Sequence, residues 1–242
     1  MNANLKIIIH SIKGSISILL GQDYFQYYIW RTTMKQTLIT FCLSVMYLFS
    51  FGQSFEGEII YQTSFKSKIP DITAKEFSAV MSVGKNFFIK DGDFKYETEG
   101  THELWQLYIN ADNKIYHKYS HSEELTWNDA SIDREEVLST EFHRDAAEIL
   151  GFKCDEIILN CNIGIHKYYF SSKLHIDGKL YANCLIGNWY AYLSEANAIP
   201  LKIVFDNAQV SMETIAIEVK PMILDKSMFC LPEGTKTSKS NF

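Results

Sequence analysis

From Phe55 onward the chain alternates apolar and polar residues with a period of two. In "FEGEIIYQTSF", Phe55, Gly57, Ile59, Tyr61 and Phe65 fall on one face, and Glu56, Glu58 and Gln62 on the other. "NFFIKDGDFKYETEG" sets an Asp-Gly pair, Asp91–Gly92, between two strand-like halves, which is the residue chemistry of a tight hairpin turn. "LWQLYINADNKIYHKYS" repeats the design with its turn near Asp112–Asn113, and "FKCDEIILNCNIGIHKYYFSS" gives two more strands around Asn160–Gly164. "IPLKIVFDNAQVSMETIAIEV" turns at Asp206–Ala208, with Leu201, Ile203 and Phe205 on one face and Ile215, Ile217 and Val219 on one face of its partner. Helix is scarce. Thr73 and Glu76 have capping-box spacing in "TAKEFSAVMSV", where Phe77, Val80 and Met81 share a face, and "NWYAYLSEA" offers a second short helix.

Roughly nine strands joined by short turns make an antiparallel meander rather than a parallel α/β sheet. The fold class expected is therefore mainly β: one strongly curved antiparallel sheet, an open or half-closed barrel, with one or two short helices over its concave face.

Upstream the pattern changes. Lys35 follows Met34, Thr37 to Phe51 is apolar and uncharged, and Ser50 and Gly52 stand at the minus-three and minus-one positions of a cut before Gln53. That is the build of a secretory signal peptide over 34–52, too short for the roughly twenty apolar residues of a spanning helix. Residues 1–33 hold neither period for long and are broken by His10, Lys13 and Gly14. They read as an extension ahead of a true start at Met34, with a signal-anchor as the rival account. Cys42 lies inside the apolar run and not at the cut, so no lipid anchor is expected. The mature protein is then periplasmic or secreted, and not integral to a membrane after cleavage. It has a single domain over 53–235 and a polar tail, 236–242, that frays.

The compartment changes the meaning of charge and cysteines. The chain has 23 Lys and Arg against 29 Asp and Glu; removing Lys6, Lys13, Arg31, Lys35 and Asp23 before Gln53 leaves 19 against 28, a net charge of −9. Nucleic acid, which needs clustered basic residues, is not an expected partner. Four cysteines remain, Cys154, Cys161, Cys184 and Cys230. In an exported chain they are disulfide candidates with three connectivities open, and Cys154–Cys184 is the pairing favoured here. No close pair of the C-x2-C kind is present, so no metal site is read from them, although packed free thiols are a rival to the disulfides.

"EILGFKC" (148–154), "HKYYFSSKLHID" (166–177), "IGNWYAYLSEANAIPLKIVF" and "IEVKPMILDKSMFCLPEG" follow one another in an order that resembles the exported GLPGLI-type domains of unknown function, grouped with LolA-like half-barrels. "AIPLKIVF" stands where the GLPGLI signature itself would fall. The resemblance implies a secreted or periplasmic β-rich domain without an established enzymatic role. LolA proper carries lipoprotein acyl chains in its concave face, and none of its functional residues has a counterpart placed on this sequence.

Motifs for chemistry are few. There is no G-x-S-x-G elbow, P-loop or dinucleotide fingerprint, so no cofactor is expected, and Ser171 and Ser172 have no triad partners. His117 and His121 are spaced i, i+4 near Glu123 and Glu124, but a solvated strand end accounts for them better than a metal. His143 and Asp145 in "FHRDAAE" read as a surface turn with local charge pairs. Glu97, Glu99 and Asp155 are carboxylates whose spacing along the chain assigns no pairing. Aromatics, by contrast, crowd the strands: Trp105, Tyr108, Tyr116, Tyr168, Tyr169, Phe170, Trp189, Tyr190 and Tyr192. A concave face without a second sheet needs an apolar cover. Ile59, Tyr61, Trp105, Leu201, Ile203 and Phe205 are expected to line it, with Trp189 and Tyr190 as a rim that moves. The leading expectation is a non-enzymatic domain holding a lipid or acyl chain. The alternatives are an envelope protein-interaction module and, third, a small-molecule hydrolase.

Overall fold

The computed structural model describes residues 54–80, 82–98 and 102–240. Two runs of hairpins build it. The first holds β1 (Gly57–Ser67), β2 (Gly84–Lys90), β3 (Asp93–Thr98), β4 (Glu103–Ile109), β5 (Lys114–Tyr119) and β6 (Leu125–Asp129). The second holds β7 (Val137–Ile149), β8 (Phe152–Cys161), β9 (Gly164–His175), β10 (Ala198–Asn207) and β11 (Val210–Pro221). Pairing of β1 with β11 joins the runs into one 12-stranded, unclosed sheet of order β12-β6-β5-β4-β3-β2-β1-β11-β10-β9-β8-β7. Every pair is antiparallel except that of β12 (Thr237–Lys239) with β6. Among the described residues the sheet ends at β12 and β7.

Turn chemistry sets the hairpins. Asp91 and Gly92 both take positive φ, 48° and 93°, as the tight turn between β2 and β3 requires. Asn113, at φ 52°, closes the β4–β5 turn and holds it with a side-chain bond to the Asn183 carbonyl. Between β1 and β11 the register slips at Ile60/Tyr61, leaving Ile217 as an extra residue. The inward set on β11 therefore changes from Val219 to Ala216 and Thr214, and Ile217 is 51% exposed. The expectation that Ile215, Ile217 and Val219 share one face fails at this bulge.

Two short α-helices accompany the sheet. α1 (Ala74–Val80) starts with the capping box read from the sequence: Thr73 N donates to Glu76 Oε2 at 2.6 Å, and Glu76 N donates to Thr73 Oγ1 at 3.3 Å. The face expected from Phe77, Val80 and Met81 lies outside the described side chains. α2 (Trp189–Ala196) buries Trp189, Tyr192 and Leu193 in the main core, among side chains of β1–β5 and β8–β11.

The opposite face departs from expectation. Where β1, β10 and β11 lie it is wet, with Lys220 paired to Glu58 and Glu218, and Lys202 to Glu213. On β4–β6 it is apolar: Leu107 and Tyr116 are covered by Leu224 and Phe229 of the C-terminal segment, with Trp105 and Trp127 alongside. Residues 236–240 of the segment expected to fray are instead paired with β6. Thr237–Lys239 forms β12, Leu125 N donates to the Lys236 carbonyl at 3.0 Å, and Ser240 N to the Trp127 carbonyl at 2.8 Å. The domain therefore runs on past residue 235, because β6 supplies unpaired backbone groups for it.

Glu56 ties three of these pieces together. Its Oε1 accepts from Lys90 Nζ at 2.6 Å and from Leu224 N at 2.5 Å. Those two donors hold the carboxyl below the ordinary 4.5. A depressed folded-state value contributes stability above pH 4.5 that is lost as pH falls through the folded value. The melting temperature is thus expected to drop on acidification below pH 4.5. Glu56→Gln should flatten part of that slope in a calorimetric pH series; an unchanged slope would show that Glu56 contributes nothing to it.

Candidate functional site

The side chains expected to line a concave cavity are mostly consumed by the core. Ile59, Tyr61 and Leu201 are buried, Trp189 is 9% exposed, and Ile203 packs against the same cluster. Tyr61 OH donates to the Pro200 carbonyl at 2.6 Å, so its polar tip is satisfied from within. Tyr192 stacks on Tyr168 at 4.2 Å, and Trp189 meets Phe94 edge-on at 6.0 Å. Tyr190 is partly exposed on α2, and Phe205 lies edge-on to His166 at 4.7 Å. Trp105 is on the wrong face for the expectation: it belongs to the second cluster, with Lys95 Nζ 5.6 Å above its ring. A cleft of about 480 Å³ lies elsewhere, between walls that include Asp129, Asp133, Arg134 and Lys239, and none of the expected side chains lines it.

What stays open is the rim. β7 is an edge strand of 13 residues, exposed from Leu138 through Ala146 and paired, among the described residues, with β8 alone. Phe142 stands opposite Ile157 and meets Phe170 edge-on at 6.3 Å, yet is 49% exposed; Leu138 is 64% exposed. The apolar inner face therefore runs out to a bare edge. His143 and Asp145, read from sequence as a surface turn, lie in this strand: the register slips between His143 and Ala147, and Asp145 has φ 50° with its N–H donating to Asp155 Oδ1 at 2.9 Å. His143 Nδ1 is 2.8 Å from Glu156 Oε2, which is a local pair rather than a base beside a nucleophile.

A buried polar knot closes the start of β7. Cys161 ends β8 and His166 sits on β9, brought side by side by the hairpin between them. Glu135, from the segment between β6 and β7, reaches in to place Oε1 2.9 Å from His166 Nε2. Neither side chain of that pair is more than 8% exposed. Burial and the neighbouring acids Glu135 and Asp133 push the Cys161 thiol up to about 11, which argues against a free thiolate nucleophile. Sequence reasoning had Cys161 only as a disulfide candidate and passed over His166. C-x4-H across a hairpin turn was the available signal.

The four described cysteines are free thiols. The Cys154–Cys184 bridge is not formed: both side chains are fully buried in the main core, and Cys154 Sγ donates to the Phe152 carbonyl at 3.4 Å. Burial pushes the Cys184 thiol up to about 12. Cys161 caps a hairpin, and exposed Cys230 lies near the C-terminus, so these residues pack as small side chains in separate places. His117 and His121 do not converge on one point. His117 bonds Glu103 and Asn128, while His121 stacks on His102 at 4.4 Å. Glu97 pairs with Lys95, and strands β2, β1, β11, β10 and β9 stand between its strand and that of Asp155. Glu99 lies outside the described residues.

No family model matches the chain, and no curated protein matches it. Among solved structures it is similar to PNGF-II in its P21 crystal form (14% identity, TM-score 0.43, 77% of this chain and 32% of that one). It is similar too to PNGF-II in its C2 form (13%, 0.41, 77% and 31%). The chain thus spans about a third of the length of those proteins.

Proposed function

We propose that the chain acts outside the cytoplasm as a non-enzymatic docking module, a curved half-barrel that takes an extended segment of a partner protein as an added strand on β7. The observation that carries this reading is the edge strand β7, exposed from Leu138 through Ala146, where the inner apolar face ends at Phe142. A bare edge offers unpaired N–H and C=O groups, and backbone pairing supplies affinity while alternate side chains supply selectivity. Glu136, Glu141 and Glu148 on or beside the strand, against Arg144, favour a partner segment that alternates apolar and basic residues. The signal-peptide pattern at 34–52 supports the compartment, and the GLPGLI-type resemblance the class of domain.

A labelled ten-residue peptide of alternating valine and lysine provides the test. Fluorescence anisotropy should show micromolar binding, about −8 kcal/mol, weakened at least tenfold in Phe142→Lys and in Leu138→Lys. Both sites are exposed, so folding should survive either change. Equal binding by wild type and variants, or none, would overturn the reading; self-association lost in Phe142→Lys would assign the edge to a second copy instead.

The reading with an apolar or amphipathic ligand beneath α2 has one observation in its favour. Trp189 Nε1 is buried with no acceptor among the described residues, and an acyl carboxylate is such an acceptor. Uptake of a fluorescent fatty acid that weakens in Trp189→Phe would favour it over docking.

A further inference from the structure

We propose that Glu135, Cys161 and His166 form a binding site for a divalent zinc ion. The three offer one carboxylate oxygen, one sulfur and one imidazole nitrogen, all within 4.8 Å of one another. Around a tetrahedral zinc such atoms stand about 3.4–3.6 Å apart, as bonds of ~2.0–2.3 Å require. The ion enters by parting the His166–Glu135 pair slightly and drawing the sulfur in. A mixed sulfur, nitrogen and oxygen set suits zinc and disfavours calcium or magnesium, which take oxygen alone.

Three features set this cluster apart from three polar side chains meeting by chance. First, it is held from outside. Glu136 N donates to Asn162 Oδ1 at 3.1 Å and Asn162 N to the Glu136 carbonyl at 3.0 Å, which clamps the Glu135 segment to the tip of the β8–β9 hairpin. Asp133 accepts from Glu135 N at 3.0 Å and from Asn188 N at 2.9 Å, and Asn188 Nδ2 lies 3.5 Å from Cys161 Sγ. Second, the histidine is oriented. Tyr168 OH donates to the Gly187 carbonyl at 3.4 Å and lies 3.3 Å from His166 Nδ1, so it can accept from Nδ1–H and leave Nε2 for an ion. An outer partner on the far nitrogen is the usual companion of a metal-bound histidine. Third, the charge is unbalanced: His166 is the ionic partner of Glu135 among the described residues, and no Lys or Arg pairs with Glu135 or Asp133 there. A divalent cation balances that excess, with the thiol giving up its proton on binding.

The test uses the full exported chain, kept reduced, with cobalt(II) as a spectroscopic stand-in for zinc. One equivalent should produce a sulfur-to-cobalt charge-transfer band and tetrahedral visible bands, which one equivalent of zinc removes and excess calcium or magnesium does not. Cys161→Ser should abolish the charge-transfer band. His166→Gln should weaken zinc binding by at least about 100-fold, the upper end of the loss seen on removing even an outer-shell partner. Circular dichroism checks that the variants fold. If they do not, X-ray absorption on the zinc-loaded wild type decides, with one sulfur and the rest nitrogen or oxygen expected. No stoichiometric binding, a shell without sulfur, or a band that survives in Cys161→Ser would overturn the site.

Discussion

Replacing Tyr192 with alanine is expected to cost about 5 kcal/mol, close to the whole stability of a marginal domain, which runs at ~5–15 kcal/mol. Tyr192 is fully buried on α2, stacked on Tyr168 at 4.2 Å and edge-on to Phe170 at 6.0 Å. Truncating a buried aromatic costs about 3–5 kcal/mol through lost transfer energy and the cavity left behind. The hydroxyl adds to this. It donates to the Ala198 carbonyl at 2.8 Å, and orphaning a buried acceptor costs about 1–3 kcal/mol, part of which overlaps with the first figure. Tyr192→Phe isolates the hydroxyl and should cost only about 1–2 kcal/mol. Denaturant unfolding of the three proteins checks both. A loss below about 2 kcal/mol in the alanine variant would mean that α2 does not seal the core.

Gly57→Ala is the second large effect, about 3–5 kcal/mol, and it comes from backbone rather than cavity. Gly57 begins β1 at φ 155°, and a Cβ there would meet the Lys220 carbonyl oxygen at 2.2 Å. Both sides of that contact are backbone within the β1–β11 ladder, the pairing that joins the two halves of the sheet. Neither can step aside without breaking the ladder. Gly84→Ala is the control: nothing lies within 4 Å of its Cβ. It should be neutral or stabilising by about 0.5 kcal/mol through the unfolded chain. Similar losses in the two variants would mean that the Gly57 cost does not come from the clash with the Lys220 carbonyl.

The hairpins were legible because their turns carry residues that accept positive φ, as at Asp91–Gly92 and Asn113. Both helices were legible as well, α1 from its capping box. Alternation does not say which face is inside when both are apolar. Trp105 and Leu107 on one side of β4 and Tyr108 on the other are all hydrophobic, and only the C-terminal cover decides between them. β7 was hidden for the opposite reason: an edge strand exposed on both faces has no buried set to impose a period, and the bulge at Asp145 breaks what remains. The polar knot was half visible. Cys161 and His166 are close in sequence, but Glu135 arrives from another connection, and that meeting depends on register that no spacing encodes.

The central claim is that β7 is a free edge awaiting a strand, and amide hydrogen exchange on the domain tests it most directly. With the domain alone, the β7 amides that do not pair with β8 should exchange at rates close to those of an unstructured chain, while β8 and β9 are slow. With saturating valine–lysine peptide, protection should appear on those β7 amides and nowhere else. Slow exchange along β7 before any peptide is added, or protection that falls on α2 and the inner face instead, would contradict the account.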